Sequence, residues 1–235
     1  MKNTPVQNTS NPDLVWYVSY GSNLNYDRFS HYISGGRYGS SRRSLPGCSD
    51  TTPPRDSRAL TLPYQLYFGG LSRSWNGAVA FINPESPGNT LARAYLITVE
   101  QFWQIVIQET TSTAGIQPKS PADLPTNASG ISGKGMYDRP VECGELEGLP
   151  LLTFTTPKIH KAVSLPTPAY IQTIGLGLCE VHGLSPAEAA AYLEMQAGIT
   201  GHYDRQLIQQ LVEEFLESPA PTSAVAESAP AFMPA

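Results

Sequence analysis

The segment that decides the fold of this chain reads Leu14-Val15-Trp16-Tyr17-Val18-Ser19-Tyr20-Gly21-Ser22-Asn23-Leu24. Its first part, up to Tyr20, is rich in β-branched and aromatic side chains, which predicts a buried β-strand. The Gly-Ser-Asn sequence then interrupts this pattern, because these residues favour turns. We therefore expect a strand that enters a tight loop.

The loop itself has two interpretations. Gly21 and Asn23 tolerate left-handed backbone angles, so successive N–H groups could converge on an anion or a developing oxyanion. The side chains of Ser22 and Asn23 can add further hydrogen-bond donors. A plain turn between a strand and a helix, with Asn23 as the N-cap, also explains these residues. The residues alone leave both interpretations open.

The rest of the chain mixes strand-like and helix-like patterns. Further strands are predicted at 59–68, 77–82, 91–97, 140–144 and 151–155, and Pro63 indicates an edge strand or a bulge. Thr98-Val99-Glu100-Gln101 has the form of a capping box, which predicts a helix from there to about Thr110. Apolar spacing predicts three more helices, at 170–181, 186–195 with Ser185 as N-cap, and 202–216. With 21 Pro and 20 Gly the chain is a poor candidate for a helical bundle, so we predict a mixed α+β domain.

Domain boundaries follow from composition. Residues 1–13 and the Pro/Ala/Ser-rich residues 218–235 lack apolar periodicity and are predicted to be disordered tails around one domain at 14–217. Residues 111–135 are polar and rich in helix breakers, which predicts a surface insertion. The N-terminus lacks the apolar run of a secretory signal, and no stretch approaches the length of a membrane span. We expect a cytoplasmic protein.

Charge and motif content exclude several classes of function. The chain carries 20 Asp and Glu against 15 Lys and Arg, a formal charge of −5, which argues against nucleic-acid binding. No membrane partner is expected. The three cysteines lack a Cys-x-x-Cys spacing and the four histidines do not cluster, so we expect no metal and no other cofactor. The Gly-x-Ser-x-Gly elbow of serine hydrolases is also absent.

Glu109 is the candidate catalytic residue. On the predicted helix it lies seven positions after Phe102 and three after Val106, which places it on their apolar face. A carboxylate on such a face loses hydration, which favours proton transfer near neutral pH. Alternatively, Glu109 reaches solvent past the last helical turn, and the pattern does not decide between the two.

These residues together resemble the gamma-glutamylcyclotransferase-like superfamily over roughly residues 14–184. Tyr20-Gly21-Ser22-Asn23-Leu24 after an N-terminal strand looks like the signature loop of that family. Other similar stretches follow in the same order: 59–68, strand 91–97 with a helix ending at Gln108-Glu109, Gly135-Met136-Tyr137, and Pro168-Ala169-Tyr170 with Gly175 and Gly177.

The resemblance implies a small mixed β-barrel with flanking helices and a cavity at its rim. It implies an amide-cleaving, cyclising lyase or acyltransferase that releases 5-oxoproline from a γ-glutamyl amide or peptide, as in glutathione metabolism. Glu109 would be the general acid/base. The substrate would be bound by Tyr20, Gly21, Ser22, Asn23, Leu24 and Tyr137.

The sequence leaves three alternatives in function and two in assembly. The chain could be a cyclotransferase, an enzyme of the same fold that acts on another γ-glutamyl amine or amide of specialised metabolism, or a non-catalytic module that binds a small molecule. A small-molecule γ-glutamyl compound is the expected partner, and the chain could be a monomer or a homodimer. A buried carboxylate that faces the loop would favour the enzymes over the binding module.

Overall fold

The computed structural model describes residues 13–39, 44–110, 136–159 and 164–217. The predicted insertion at 111–135 and the predicted tail at 218–235 lie outside the described residues, as does the tail at 1–13 apart from Asp13. Among the residues described, no helix is long and apolar enough to cross a membrane.

Five strands form one sheet. They are β1 (Leu14–Ser19), β2 (Asp56–Ser72), β3 (Gly77–Thr98), β4 (Arg139–Leu146) and β5 (Leu149–Thr155), arranged in the order β2-β3-β1-β5-β4. β1 lies in the centre, antiparallel to β3 and parallel to β5, and the other pairs are antiparallel. The predicted strand that precedes the loop is therefore the middle strand of the sheet, where both of its faces are covered.

The described residues form five α-helices, and the four that the sequence predicts lie close to their predicted positions. The helices are α1 (Tyr26–Ser34), α2 (Val99–Thr110), α3 (Pro168–His182), α4 (Pro186–Glu194) and α5 (Arg205–Glu217). The predicted capping box at the start of α2 is confirmed, because Gln101 N donates to Thr98 Oγ1 at 3.1 Å and Thr98 N donates to Gln101 Oε1 at 3.0 Å. Ser185 caps α4 as predicted.

The prediction of separate strands at 77–82 and 91–97 was wrong. Both belong to β3, because the turn-like residues between them continue to pair with β2 through shifts of register. One shift lies between Leu62 and Tyr64, so Pro63 occupies a bulge in a strand at the sheet edge, as its ring predicts. Irregular pairing lets turn-forming residues remain within a long, bent strand.

The sheet is open, so the predicted α+β class holds but the barrel is not closed. β2 and β4 form the two edges of the sheet among the described strands. The sheet nevertheless curls, and Thr155 Oγ1 on β5 donates to the Ile82 carbonyl on β3 at 2.8 Å. This hydrogen bond links two strands that are not neighbours in the sheet.

Two apolar cores lie on opposite faces of the sheet, because successive side chains of β1 point to opposite sides. Trp16 and Val18 belong to a core that also contains residues of α3, α4 and α5. Val15 and Tyr17 belong to a second core with residues of α1 and α2. The end of β1 thus lies between both groups of helices, and the loop after it can contact each group.

Candidate active site

A small cavity, open to solvent, lies where β1 ends. It is lined by the end of β1, the loop after it, and side chains from β3, α2, β5 and α3. The lining residues are Tyr17, Val18, Ser19, Tyr20, Gly21, Ser22, Asn23, Ala80, Glu109, Tyr137, Thr153, Phe154 and Tyr170.

The structure brings most of the predicted site residues together. Tyr20, Gly21, Ser22, Asn23, Tyr137 and Glu109 all line this cavity. Leu24 does not, because its side chain is only 1% exposed and packs in the core with α3. Its predicted contact with substrate has no counterpart in this geometry, whereas its backbone helps to hold the loop.

The loop is a single turn of 3₁₀ helix over Ser22–Leu24. Leu24 N donates to the Gly21 carbonyl at 2.9 Å, and Asn25 N donates to the Ser22 carbonyl at 3.2 Å. The N–H groups of Gly21, Ser22 and Asn23 are not the donors of these two bonds. They lie at the start of the turn, where the N–H groups of a helix have no partner within the helix.

Two details of the loop differ from the sequence interpretation. Gly21 has a φ of −115°, so it is not left-handed; a Cβ there would instead lie 3.1 Å from Tyr170 Oη. The glycine therefore provides space for a side chain of α3. The N-cap of α1 is Asn25, whose side chain accepts from Arg28 N, and not Asn23.

Asn23 instead forms hydrogen bonds with two buried tyrosines. It is buried, and its Nδ2 donates to Tyr17 Oη at 3.2 Å while its backbone carbonyl accepts from Tyr95 Oη at 2.8 Å. Its Oδ1 is buried and has no hydrogen-bond partner. An unpaired buried acceptor is costly, and Asn23 is among the residues that line the cavity.

An ion pair supports the loop from behind. Arg93, which is buried on β3, donates from Nη1 to the Leu24 carbonyl at 3.1 Å and to Glu180 Oε1 on α3 at 2.8 Å. The other oxygen of Glu180 accepts from Tyr26 N at 3.0 Å. The start of α1 and the end of the loop are thereby attached to both the sheet and α3.

Glu109 reaches the cavity from the last turn of α2. Phe102 and Val106 are buried on the same helix, so the predicted apolar face is confirmed, and Glu109 is half-buried at its end. Tyr32 of α1 donates a hydrogen bond from Oη to Glu109 Oε1. The neighbouring Gln108 donates from Nε2 to the Tyr32 carbonyl at 3.0 Å, which fixes α2 against α1 at this point.

The cavity is rich in tyrosine hydroxyls that stay protonated. Burial raises the pKa of Tyr17, Tyr20 and Tyr137 above the usual range, and it raises the pKa of Tyr170 to about 12. These hydroxyls therefore act as hydrogen-bond donors and acceptors and not as bases near neutral pH. In the described part of the lining, Glu109 is the one side chain of the Asp, Glu, His, Lys, Arg and Cys types.

Sequence reasoning did not assign Tyr17, Tyr32 and Tyr170 to the site. The sequence predicts only that Tyr17 belongs to a buried strand. Its ring stacks on another aromatic ring in the core, and the residue also lines the cavity. Tyr170 was noted only as part of the resemblance. Tyr32 carried no signal at all, because its contact with Glu109 arises from the packing of two helices. Within the described ranges, no three His, Cys, Asp or Glu side chains come together as metal ligands.

Comparison with solved structures identifies the fold. A structure entitled gamma-glutamyl cyclotransferase aligns with 86% of this chain and 99% of its own, with a TM-score of 0.50 and 17% sequence identity. An uncharacterized protein from Homo sapiens aligns over the same shares with a TM-score of 0.49 and 18% identity. The first of these shows that the chain has the fold of the gamma-glutamylcyclotransferase-like superfamily, which confirms the predicted fold.

Comparison of sequences adds a relative but no family model matches the chain. Histone deacetylase 5 of Arabidopsis thaliana is 32% identical in an alignment of 201 positions that covers 77% of this chain. The match covers 30% of that protein, so the chain spans less than a third of this relative's length. The name of the relative describes the whole protein and is not transferred to this chain.

Proposed function

We propose that this chain, which has the gamma-glutamyl cyclotransferase fold, is an enzyme that releases 5-oxoproline from a γ-glutamyl amide or peptide. The observation that carries the proposal is Glu109, a half-buried carboxylate in a cavity whose other described lining residues are neutral. It shares this cavity with a loop whose N–H groups can donate hydrogen bonds. This pairing suits a reaction that needs one group to accept and return a proton.

The proposed reaction is an intramolecular attack. The α-ammonium of the γ-glutamyl group loses a proton to Glu109, and the resulting amine attacks the γ-carbonyl carbon. A new N–C bond closes the five-membered ring, and the bond between the carbonyl carbon and the leaving nitrogen breaks as Glu109 returns its proton to that nitrogen. The second ammonium proton passes to the released amine. General acid/base catalysis of this kind contributes typically about 10²–10⁴-fold to the rate.

The remaining lining residues have roles that follow from their polarity. The N–H groups of Gly21, Ser22 and Asn23 would donate to the substrate carboxylate or to the oxygen that becomes negative during attack. Asn23 Oδ1, which has no hydrogen-bond partner among the described residues, would accept from the substrate ammonium if the side chain turned toward the cavity on binding. The Tyr170 and Tyr137 hydroxyls would bind the γ-glutamyl group from the opposite wall. No cofactor enters this scheme.

The proposal extends to the partner and location but leaves the leaving group open. The partner is a small γ-glutamyl compound, with no nucleic acid and no membrane, and the location is cytoplasmic. A different γ-glutamyl amine or amide of specialised metabolism would use the same groups. A non-catalytic module would use the Glu109 carboxylate to bind the ammonium group without transferring a proton, and turnover distinguishes it from an enzyme.

The test is a substrate screen. Purified chain is incubated separately with glutathione, a γ-glutamyl dipeptide and a γ-glutamyl alkylamine, and 5-oxoproline is measured by chromatography. Release of 5-oxoproline from at least one compound, absent without enzyme, is the expected result. Release from none of them, with binding of one detected by calorimetry, would favour the binding module.

A further inference from the structure

The carboxylate of Glu109 is held by a residue that does not line the cavity. Tyr32 Oη donates to Oε1, and Tyr32 is not a lining residue. Glu109 itself lines the cavity, so the oxygen left for a substrate is Oε2. A carboxylate with one oxygen engaged by a buried donor has fewer accessible rotamers than a free one, because the hydrogen bond selects among them.

Behind Tyr32 lies a buried cation, Arg28. Its Nη2 donates to Tyr32 Oη at 3.1 Å, and its guanidinium carbon lies 4.8 Å from the centre of the Tyr32 ring. The rings of Tyr38 and Trp75 lie 5.7 Å away on other sides. The ring of Tyr32 therefore packs against the Arg28 guanidinium, and its hydroxyl accepts a hydrogen bond from the same group.

Arg28 has no ion-pair partner within 4.0 Å among the described residues, and its Nε is buried without a hydrogen-bond partner. A buried cation that lacks a direct partner is costly, so its placement calls for a compensating charge nearby. A hydrogen-bonded route to a carboxylate runs through one hydroxyl, from Arg28 to Tyr32 to Glu109. This route joins α1 to the end of α2.

We propose that Tyr32 and Arg28 are positioning residues that orient the Glu109 carboxylate for proton transfer. The inference rests on the proposed function. Tyr32 accepts from the guanidinium and donates to the carboxylate, and hydrogen bonds in such a chain strengthen one another. Burial, and next the charge of Glu109, raise the pKa of Tyr32 well above its usual range, so the hydroxyl keeps its proton and remains a donor.

Other groups near Glu109 do not offer the same contact. Besides burial, the charge of Glu109 raises the pKa of three other tyrosines, which are Tyr17 on β1, Tyr137 just before β4, and Tyr170 on α3. The hydroxyls of these tyrosines have other hydrogen-bond partners. Tyr137 Oη donates to the Ala80 carbonyl at 2.9 Å, and Tyr170 Oη accepts from Ala80 N at 3.1 Å. Tyr32 is accordingly the residue to change.

The first experiment compares Tyr32→Phe with Tyr192→Phe. Each change removes one hydroxyl from a tyrosine with buried contacts, but Tyr192 Oη accepts from Leu91 N and is not a lining residue. We expect Tyr32→Phe to lower kcat by about 10- to 100-fold with KM within about threefold, since a misplaced catalytic group costs rate. Tyr192→Phe should leave both constants within about twofold. Equal effects of the two variants would overturn the proposal.

The second experiment asks whether the charge of Arg28 contributes. Arg28→Met keeps an unbranched chain without charge, whereas Arg28→Lys keeps the charge. We expect kcat to fall by about 10-fold or more in Arg28→Met and to recover at least threefold in Arg28→Lys, at unchanged KM. No recovery in Arg28→Lys, with both variants folded by their Tm values, would show that Arg28 only packs.

A third measurement does not depend on turnover. In Glu109→Met, Tyr32 has no carboxylate to bind, so the additional Tyr32→Phe change should lower Tm less than it does in the wild type. Additive Tm losses would contradict the contact. If the wild type released no 5-oxoproline, the proposed function would fail while this comparison would still decide whether Tyr32 holds Glu109.

Discussion

Tyr32 and Glu109 lie 77 positions apart in the sequence, and the Tyr32 hydroxyl donates a hydrogen bond to Oε1 of Glu109. The contact joins α1, which follows the signature loop, to the last turn of α2. The Tyr32–Glu109 pair, which includes the proposed catalytic carboxylate, thus links these two helices. Changes that loosen either helix should therefore affect turnover as well as stability.

Two glycines of α3 should differ in their tolerance of a methyl group. A Cβ at Gly177 would overlap the backbone of Leu24 and Asn25, whereas a Cβ at Gly175 would meet only the end of the Val212 side chain at close range. Backbone cannot move aside as a valine can. We expect Gly177→Ala to lower the free energy of unfolding by about 3 kcal/mol or more and Gly175→Ala by about 1–2 kcal/mol. Urea unfolding measures both; equal losses would contradict the close packing of α3 on the loop.

The central strand, the loop and α2 could be predicted because their signals are local. A β-branched run gave β1, and a capping box with apolar spacing placed Glu109 at the end of a buried helical face. The contacts between Tyr32 and Glu109 and between Arg93 and Leu24 could not be predicted, since they depend on how distant elements pack. The continuity of β3 was missed for a related reason: pairing with β2 overrides the turn preference of Pro and Gly.

Gly21 should not accept a side chain without loss of turnover. A Cβ there would lie 3.1 Å from Tyr170 Oη and 3.5 Å from Ala80 Cβ, so the loop or the tyrosine must shift. We expect Gly21→Ala to lower kcat/KM by at least about 10-fold while Tm falls by less than about 8 °C. In a Tyr170→Phe background, which lacks the crowding oxygen, Gly21→Ala should lower Tm less than it does in the wild type. An equal loss of Tm in both backgrounds would refute the steric explanation.

The Arg93–Glu180 pair should stabilise the loop more than a surface pair does. The side chain of Arg93 is 9% exposed and also binds the Leu24 carbonyl, whereas the Arg58–Asp56 pair is largely in solvent. We expect Arg93→Met to cost about 1.5–3 kcal/mol, typical of hydrogen bonds to charged groups. The matched control Arg58→Met should cost about 0–1 kcal/mol. If both variants unfold at the same urea concentration, the Arg93 contacts carry no special weight.

Stability should fall in alkali because of the cavity tyrosines. Burial raises the pKa of Tyr170 to about 12, while an exposed tyrosine in the unfolded chain titrates near about 10. Above pH 10 the unfolded chain loses this proton and the native state keeps it, so the free energy of unfolding falls by about 1.4 kcal/mol per pH unit for this residue. The contribution is intact below pH 10 and lost toward pH 12. Tyr170→Phe should show a shallower decline in urea unfolding at pH 9–11; parallel curves would contradict it.

The central claim is that Glu109 transfers the proton, and its most direct test is turnover by Glu109→Gln. The variant keeps the shape of the side chain but cannot accept a proton, so kcat for 5-oxoproline release should fall by at least about 10²-fold. Ligand affinity and Tm should change little. The control Glu100→Gln makes the same change at an exposed position of the same helix and should leave kcat within about twofold. A Glu109→Gln enzyme that keeps kcat within a few-fold of the wild type would contradict the assignment.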